Sequence, residues 1–183
     1  MKKKLLIAGI TLLGIFAIIL IVGVRFGNVT FGRQKNELRV TQKSKIEESE
    51  FSKNYLASEK VICLNLWATW CVPCVEEMPI LNKIKEDYKS KNVEFISMSV
   101  DTDSTRLSKF IRSNKFNFTD ITFENLPYKN SILNYLENRP LDESVNMHSV
   151  PVTYIIKNKK VIKKFDGTVE RDEVVIEINK ALE

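Results

Sequence analysis

"NLWATWCVPCVEEMPIL", residues 65–81, is the stretch on which the reading of this 183-residue chain turns. An apolar run ends at Trp67, Trp70 stands immediately before Cys71, and Cys74 follows Cys71 after a two-residue gap. Residues 60–67 ("KVICLNLW") have the dense β-prone character of a strand buried on both faces. Downstream, Met78, Leu81, Ile84 and Tyr88 recur at helical spacing. Cys71 is therefore predicted at a strand-to-helix junction. Free N–H groups and the helix dipole there favour a thiolate and can lower the pKa from about 8.5 to somewhere between about 3.5 and 7.5. Cys74, one turn on, is placed to attack a mixed disulfide at Cys71. Cys71 is thus the predicted nucleophile and Cys74 the resolving thiol. Pro73 suits the first helical turn, where it has no N–H to lose. Trp70 is expected to cover the sulfur on one side and leave Cys71 the more exposed of the two.

Two other readings of the pair stand beside the redox one. A structural disulfide across two residues closes too small a loop to restrain the unfolded chain much. A metallochaperone would bind Cu(I) or Zn²⁺ through Cys71, Cys74 and His148, the only histidine. No second cysteine pair or further histidine is present to close a four-coordinate site. Cys63, inside the apolar strand, reads as a small buried hydrophobe.

The net charge of +5 is misleading. Residues 1–36 hold six of the 28 Lys and Arg and none of the 23 acids, leaving 22 against 23 from Glu37 onward. A near-neutral domain offers no electrostatic reason to bind nucleic acid. Three cysteines are also too few for the disulfide framework of a small secreted domain.

Leu5 to Val24 ("LLIAGITLLGIFAIILIVGV") is uncharged, with Thr11 its only polar side chain. Twenty helical residues span roughly 30 Å, the thickness of a bilayer core. No small-residue cleavage site follows it, so an uncleaved signal anchor is expected. Lys2, Lys3 and Lys4 place residues 1–4 in the cytoplasm and the remainder outside. Residues 25–44 read as a juxtamembrane linker, with a short strand at Glu37–Val40.

Residues 45–57 carry Ile46, Phe51, Tyr55 and Leu56 near helical spacing and are predicted as an amphipathic helix. A second buried strand is expected at Val93–Val100, then a helix over Leu107, Phe110 and Ile111 capped by Asp103 or Ser104. A helix is predicted at 129–138, a strand at 152–157, a turn at Asn158-Lys159 and a strand at 161–166 closed by Gly167. The last helix runs from about Arg171 to Leu182. The order implies an α/β fold, with parallel crossovers early and an antiparallel hairpin late.

"NLWATWCVPC" followed by "SVPVTYII" resembles the thioredoxin superfamily, and most closely its membrane-anchored TlpA-like branch. The resemblance covers residues 45–183 and implies a thioredoxin-like fold, a central mixed sheet flanked by helices. It makes Cys71 and Cys74 a redox pair that needs no organic cofactor or metal. Pro151 becomes a cis-proline facing the pair, with Val150 before it. Trp70, Val150 and Pro151 would then contact substrate, whose strand pairs with the backbone of residue 150. Where cytosolic thioredoxins carry a buried proton-shuttling aspartate, this chain has Asn65. TlpA-like members draw an acid from the loop after the next strand. The matching position is Thr102, flanked by Asp101 and Asp103, so those two become candidates for proton transfer or for helix capping. Glu76 and Glu77 lie in the first turn of the cysteine helix, where the dipole favours negative charge and where either could tune the thiols.

Thiol peroxidases of the superfamily need Pro-x-x-x-Thr-x-x-Cys. Leu64 and Ala68 precede Cys71 at those positions, and Trp67 and Cys71 precede Cys74, so neither cysteine fits. Residues 115–149 read as a variable insert able to shape partner choice. The expected protein is a membrane-anchored, extracytoplasmic thiol–disulfide oxidoreductase. The resemblance implies reduction of protein disulfides in bacterial periplasm or cell exterior, often in cytochrome c maturation, with electrons from a membrane thiol donor.

Overall fold

The computed structural model describes residues 24–26, 29–31, 46–113, 116–141, 143 and 149–183. The chain divides into two units, Met1–Gln42 and Lys43–Glu183. In the first, β1 (Val24–Phe26) pairs antiparallel with β2 (Val29–Phe31), with Val24 opposite Phe31. The expected linker therefore contains a short two-stranded ladder, and Val24 belongs to a strand. Leu5–Gly23 and the strand expected at Glu37–Val40 lie outside the described residues. Among the described residues, no helix is long and apolar enough to cross a membrane.

The second unit is built on a five-stranded mixed sheet in the order β5-β4-β3-β6-β7. Its strands are β3 (Val61–Trp67), β4 (Val93–Ser99), β5 (Thr119–Asp120), β6 (Val152–Lys157) and β7 (Lys160–Asp166). β3, β4 and β5 run parallel, while β6 pairs antiparallel with β3 and β7 antiparallel with β6. The helices are α1 (Val72–Asp87), α2 (Ser104–Arg112), α3 (Lys129–Leu136) and α4 (Arg171–Leu182).

Every residue of β3 is buried because both faces of the central strand are covered. Ile62, Leu64 and Leu66 pack with Ile96, Met98 and Tyr154 against Ile132, Leu133 and Leu136 of α3. On the opposite face Val61, Cys63 and Ile155 meet Leu81 and Ile84 of α1 and Val174 and Ile178 of α4. Each such aliphatic side chain, once fully buried, contributes roughly 2 kcal/mol of transfer free energy.

Residues 45–57 do not form the expected α-helix. Ile46–Glu48 is a 3₁₀ turn and Ser52–Leu56 a π turn closed by Ala57 N–H on the Ser52 carbonyl at 3.0 Å. The Ser49 hydroxyl donates to the Ile46 carbonyl at 2.5 Å and accepts from Ser52 N–H at 3.1 Å. Phe51 N–H donates to Asn125 Oδ1 at 2.9 Å. Side chains thus take backbone groups that a regular helix would use. Ile46, Phe51 and Leu56 are buried nonetheless.

Residues 115–149 contain more than one helix. β5 adds a third parallel strand, with Asp120 opposite Ser97. α3 ends at Leu136, and Asn138 takes a left-handed conformation (φ 53°) just beyond. The β6–β7 turn has Asn158 and Lys159 at φ 49° and 60°, the geometry of a tight hairpin whose twist matches its strands.

Candidate active site

The parallel strands β3 and β4 end at the same pole, and β6 begins there because it runs antiparallel to β3. Leaving β3, the chain makes a β-turn closed by Cys71 N–H on the Ala68 carbonyl at 3.1 Å, then enters α1. Cys71 is the N-cap of α1, extended at φ −86° and ψ 99°, and Pro73 occupies the first helical turn. The Cys71 Sγ accepts the Cys74 N–H at 3.2 Å. The two cysteines form a disulfide across a Cα–Cα distance of 5.3 Å. A sulfur in this place faces the positive end of the helix, so reduction would leave a stabilised thiolate.

Both sulfurs are recessed, with Cys71 4% and Cys74 1% exposed, while Trp70 is 51% exposed and Val72 65%. Cys71 is the more accessible of the two, though by little. Trp67, Ala68, Met78 and Leu107 surround the pair in one apolar cluster, and Val150 packs against it. The Val150–Pro151 peptide bond is cis. The start of β6 therefore adjoins the redox turn, and the Pro151 carbonyl accepts Gly167 N–H at 3.0 Å.

One helical turn on from Cys74 a carboxyl group is buried. Glu77 is 2% exposed. Asn65 Nδ2 donates to Glu77 Oε1 at 3.0 Å and Val169 N–H donates to Oε2 at 3.2 Å. The same Asn65 amide reaches Thr153 Oγ1 at 3.0 Å. Burial pushes the Glu77 carboxyl up to about 7, against the downward pull of the Val169 and Asn65 donors. Glu76, its neighbour, points to solvent. The separation was legible, because Cys74, Glu77, Met78 and Leu81 share one helical stripe.

Asp101 and Asp103 follow β4 and diverge. Asp103 is exposed and caps α2, accepting from Thr105 N–H at 2.9 Å and Arg106 N–H at 3.0 Å. Asp101 is 8% exposed and accepts from Thr69 N–H at 2.8 Å, Thr69 Oγ1 at 2.7 Å and Ser99 Oγ at 2.6 Å. A third acid, Asp120, was not read from the sequence. It accepts from Trp67 Nε1 at 3.1 Å and Ser97 Oγ at 2.9 Å, and burial pushes its carboxyl up against the Thr122, Ser97 and Trp67 donors.

Residues 39–182 match the Redoxin family along most of the chain. The chain belongs to the Redoxin family. Similar proteins include the thioredoxin-like protein YneN of Bacillus subtilis, 30% identical over 119 residues. The match covers 64% of this chain and 63% of YneN. Thiol-disulfide oxidoreductase ResA of Oceanobacillus iheyensis is 30% identical over 116 residues, 63% of this chain and 54% of that protein. The chain thus spans roughly three fifths of the length of these relatives. A thioredoxin-family thiol:disulfide interchange protein from Chlorobium tepidum has the same fold, with a TM-score of 0.56 at 16% identity. It matches 72% of this chain and 85% of its own. A thiol:disulfide interchange protein from Bacteroides sp. shares the fold too, with a TM-score of 0.51 at 18% identity over 68% of this chain and 74% of its own.

The Redoxin chain's third cysteine, Cys63, is fully buried in β3, and burial pushes its thiol up to about 12. It packs as a hydrophobe. His148, the third ligand of the metal reading, lies outside the described residues. Among the described residues, no cluster of three or more His, Cys, Asp or Glu is placed to hold a metal ion.

Proposed function

We propose that this protein is a thiol–disulfide oxidoreductase that reduces protein disulfides through Cys71 and Cys74. The observation that carries this reading is the disulfide at the N-terminus of α1, with the Cys71 Sγ on the Cys74 N–H and the cis Val150–Pro151 segment alongside. Trp70, Val150 and Pro151 are the groups a substrate meets as its sulfur approaches Cys71. In the reduced protein the Cys71 thiolate attacks a substrate disulfide, forming a mixed disulfide and releasing one substrate thiolate. Cys74 then loses its proton and attacks the Cys71 sulfur, releasing the second substrate thiolate and closing the Cys71–Cys74 disulfide. Two electrons pass to the substrate, and an external dithiol restores the pair.

The proton on Cys74 needs an acceptor inside the domain. Glu77 is on the same helical stripe, is buried, and titrates near neutrality. It is a better fit than Asp103, which is turned to the α2 N-terminus, or Asp101, whose carboxylate is taken up by Thr69 and Ser99.

Leu5–Val24 supports membrane anchoring with the catalytic unit outside the cytoplasm. There the protein would take electrons from a membrane thiol donor and serve cytochrome c maturation, in the bacterial periplasm or at the cell exterior. The test is insulin reduction by the detergent-purified full chain with dithiothreitol as donor. The parent should reduce insulin, Cys71→Ser should not, and Cys74→Ser should accumulate a mixed disulfide with insulin. Turnover retained in either variant would sink the reading. Membrane fractionation with protease protection tests the anchor and its orientation.

A further inference from the structure

We propose that Asp101 is the positioning residue of the redox turn: its carboxylate grips Thr69 and thereby sets where Trp70 and the Cys71 sulfur point. This rests on the exchange chemistry proposed above. Thr69 and Trp70 are the two central residues of the turn from β3 into α1, which one backbone hydrogen bond closes. Trp70 lies half in solvent, so the hold on the turn falls to Thr69.

Both polar groups that Thr69 can donate go to Asp101, its N–H to Oδ2 and its hydroxyl to Oδ1. Asp101 is itself held in place. Its Oδ2 also accepts from Ser99 Oγ, and its own N–H donates back to Ser99 Oγ at 2.9 Å. Lys129 Nζ, from the first residue of α3, donates to the Asp101 carbonyl at 3.2 Å. Arg106 Nη2 approaches the Thr69 carbonyl at 3.5 Å, and Asp103 is committed to its helix cap. The turn is therefore tied to β4, and through Asp101 to α3, by charge-assisted bonds around the buried Asp101.

This pattern argues for holding rather than for proton transfer. The Thr69 N–H can only donate, and protonating Oδ2 would set an O–H against it. An asparagine, by contrast, keeps the shape: its Oδ1 can take the Thr69 N–H while its amide donates to the Thr69 hydroxyl. Charge and geometry can thus be separated by substitution.

The test compares Asp101→Ala, Asp101→Asn and Thr69→Val in the full chain. Two rates are read on reduced protein across roughly pH 5 to 9: exchange with bis(2-hydroxyethyl) disulfide and alkylation of Cys71 by iodoacetamide. Both probes are uncharged, so loss of the aspartate charge does not alter their approach. Asp101→Ala should slow both about tenfold, Thr69→Val about threefold, and Asp101→Asn less than Thr69→Val, with the parent pH profile retained. The proposal is overturned if Asp101→Asn falls as far as Asp101→Ala with a changed pH profile, the mark of a proton carrier. It is also overturned if Asp101→Ala keeps the parent rates. Should Asp101→Ala fail to fold, the order of the other two decides, since a proton carrier makes Asp101→Asn the slower. If the parent alkylates but does not exchange, the proposed function fails while the alkylation series still decides Asp101.

Discussion

Glu77 and Asp101 are both buried carboxyl groups near the redox pair, one a helical turn on from Cys74 and one just past the end of β4, and their surroundings differ in kind. Asp101 receives three short hydrogen bonds from groups of the turn and from the last residue of β4. Glu77 receives two longer ones, from an amide that it shares with Thr153 and from the Val169 N–H. Burial wins at Glu77 and pushes its carboxyl up to about 7. The Asp101 carboxylate spends its hydrogen bonds on holding Thr69 to the end of β4, whereas Glu77 bonds no group of the turn. The origin of the donors divides the two roles.

The sharpest break in this comparison is Glu77→Gln. With no proton acceptor one helical turn on from Cys74, release of reduced insulin from the mixed disulfide should slow on the order of a hundredfold. The rise in rate through about pH 7 should flatten. Rapid-quench trapping of the mixed disulfide reads this directly, and an unchanged resolving rate would remove Glu77 from the chemistry.

Stability should register the same residue. The folded Glu77 holds its proton to about 7, whereas a free glutamate releases it near 4.5. The native state therefore binds more protons between those values, and stability declines as pH rises through the window. The loss should be on the order of 3 kcal/mol. Guanidinium unfolding at the two ends of that window should show this slope in the parent and not in Glu77→Gln. A parent that gains stability as pH rises, with the same slope in the variant, would contradict the assignment.

The smallest effect belongs to the second aspartate. Asp103→Ala removes the α2 cap and should cost about 1 kcal/mol of stability while leaving the exchange rate alone. A fall in exchange rate at constant stability would restore Asp103 to the proton-transfer candidates.

What could be read in the sequence was local. The helix Arg171–Leu182 and the strand Val152–Lys157 follow from short-range periodicity, and the Asn158-Lys159 turn from residue type. The Cys71-x-x-Cys74 pair announced itself by its place after an apolar strand. β5 did not, because two residues carry no period and Thr119–Asp120 becomes a strand only through its pairing with β4. The grip of Asp101 on Thr69 spans 32 residues of sequence, and Asp120 meets Trp67 across 53. Such bonds exist only once the strand ends are brought together. Residues 46–56 show the converse: their apolar pattern was legible, but Ser49 and Asn125 decided the backbone path.

The most direct test of the central claim is a redox titration of the full chain in glutathione and dithiothreitol buffers, read by the mass shift of thiol labelling. The account predicts one reversible two-electron transition at Cys71 and Cys74, below about −220 mV as befits a reductant. It should be absent from Cys71→Ser and Cys74→Ser. A pair that stays oxidised or reduced throughout, or a transition that survives either substitution, would contradict it.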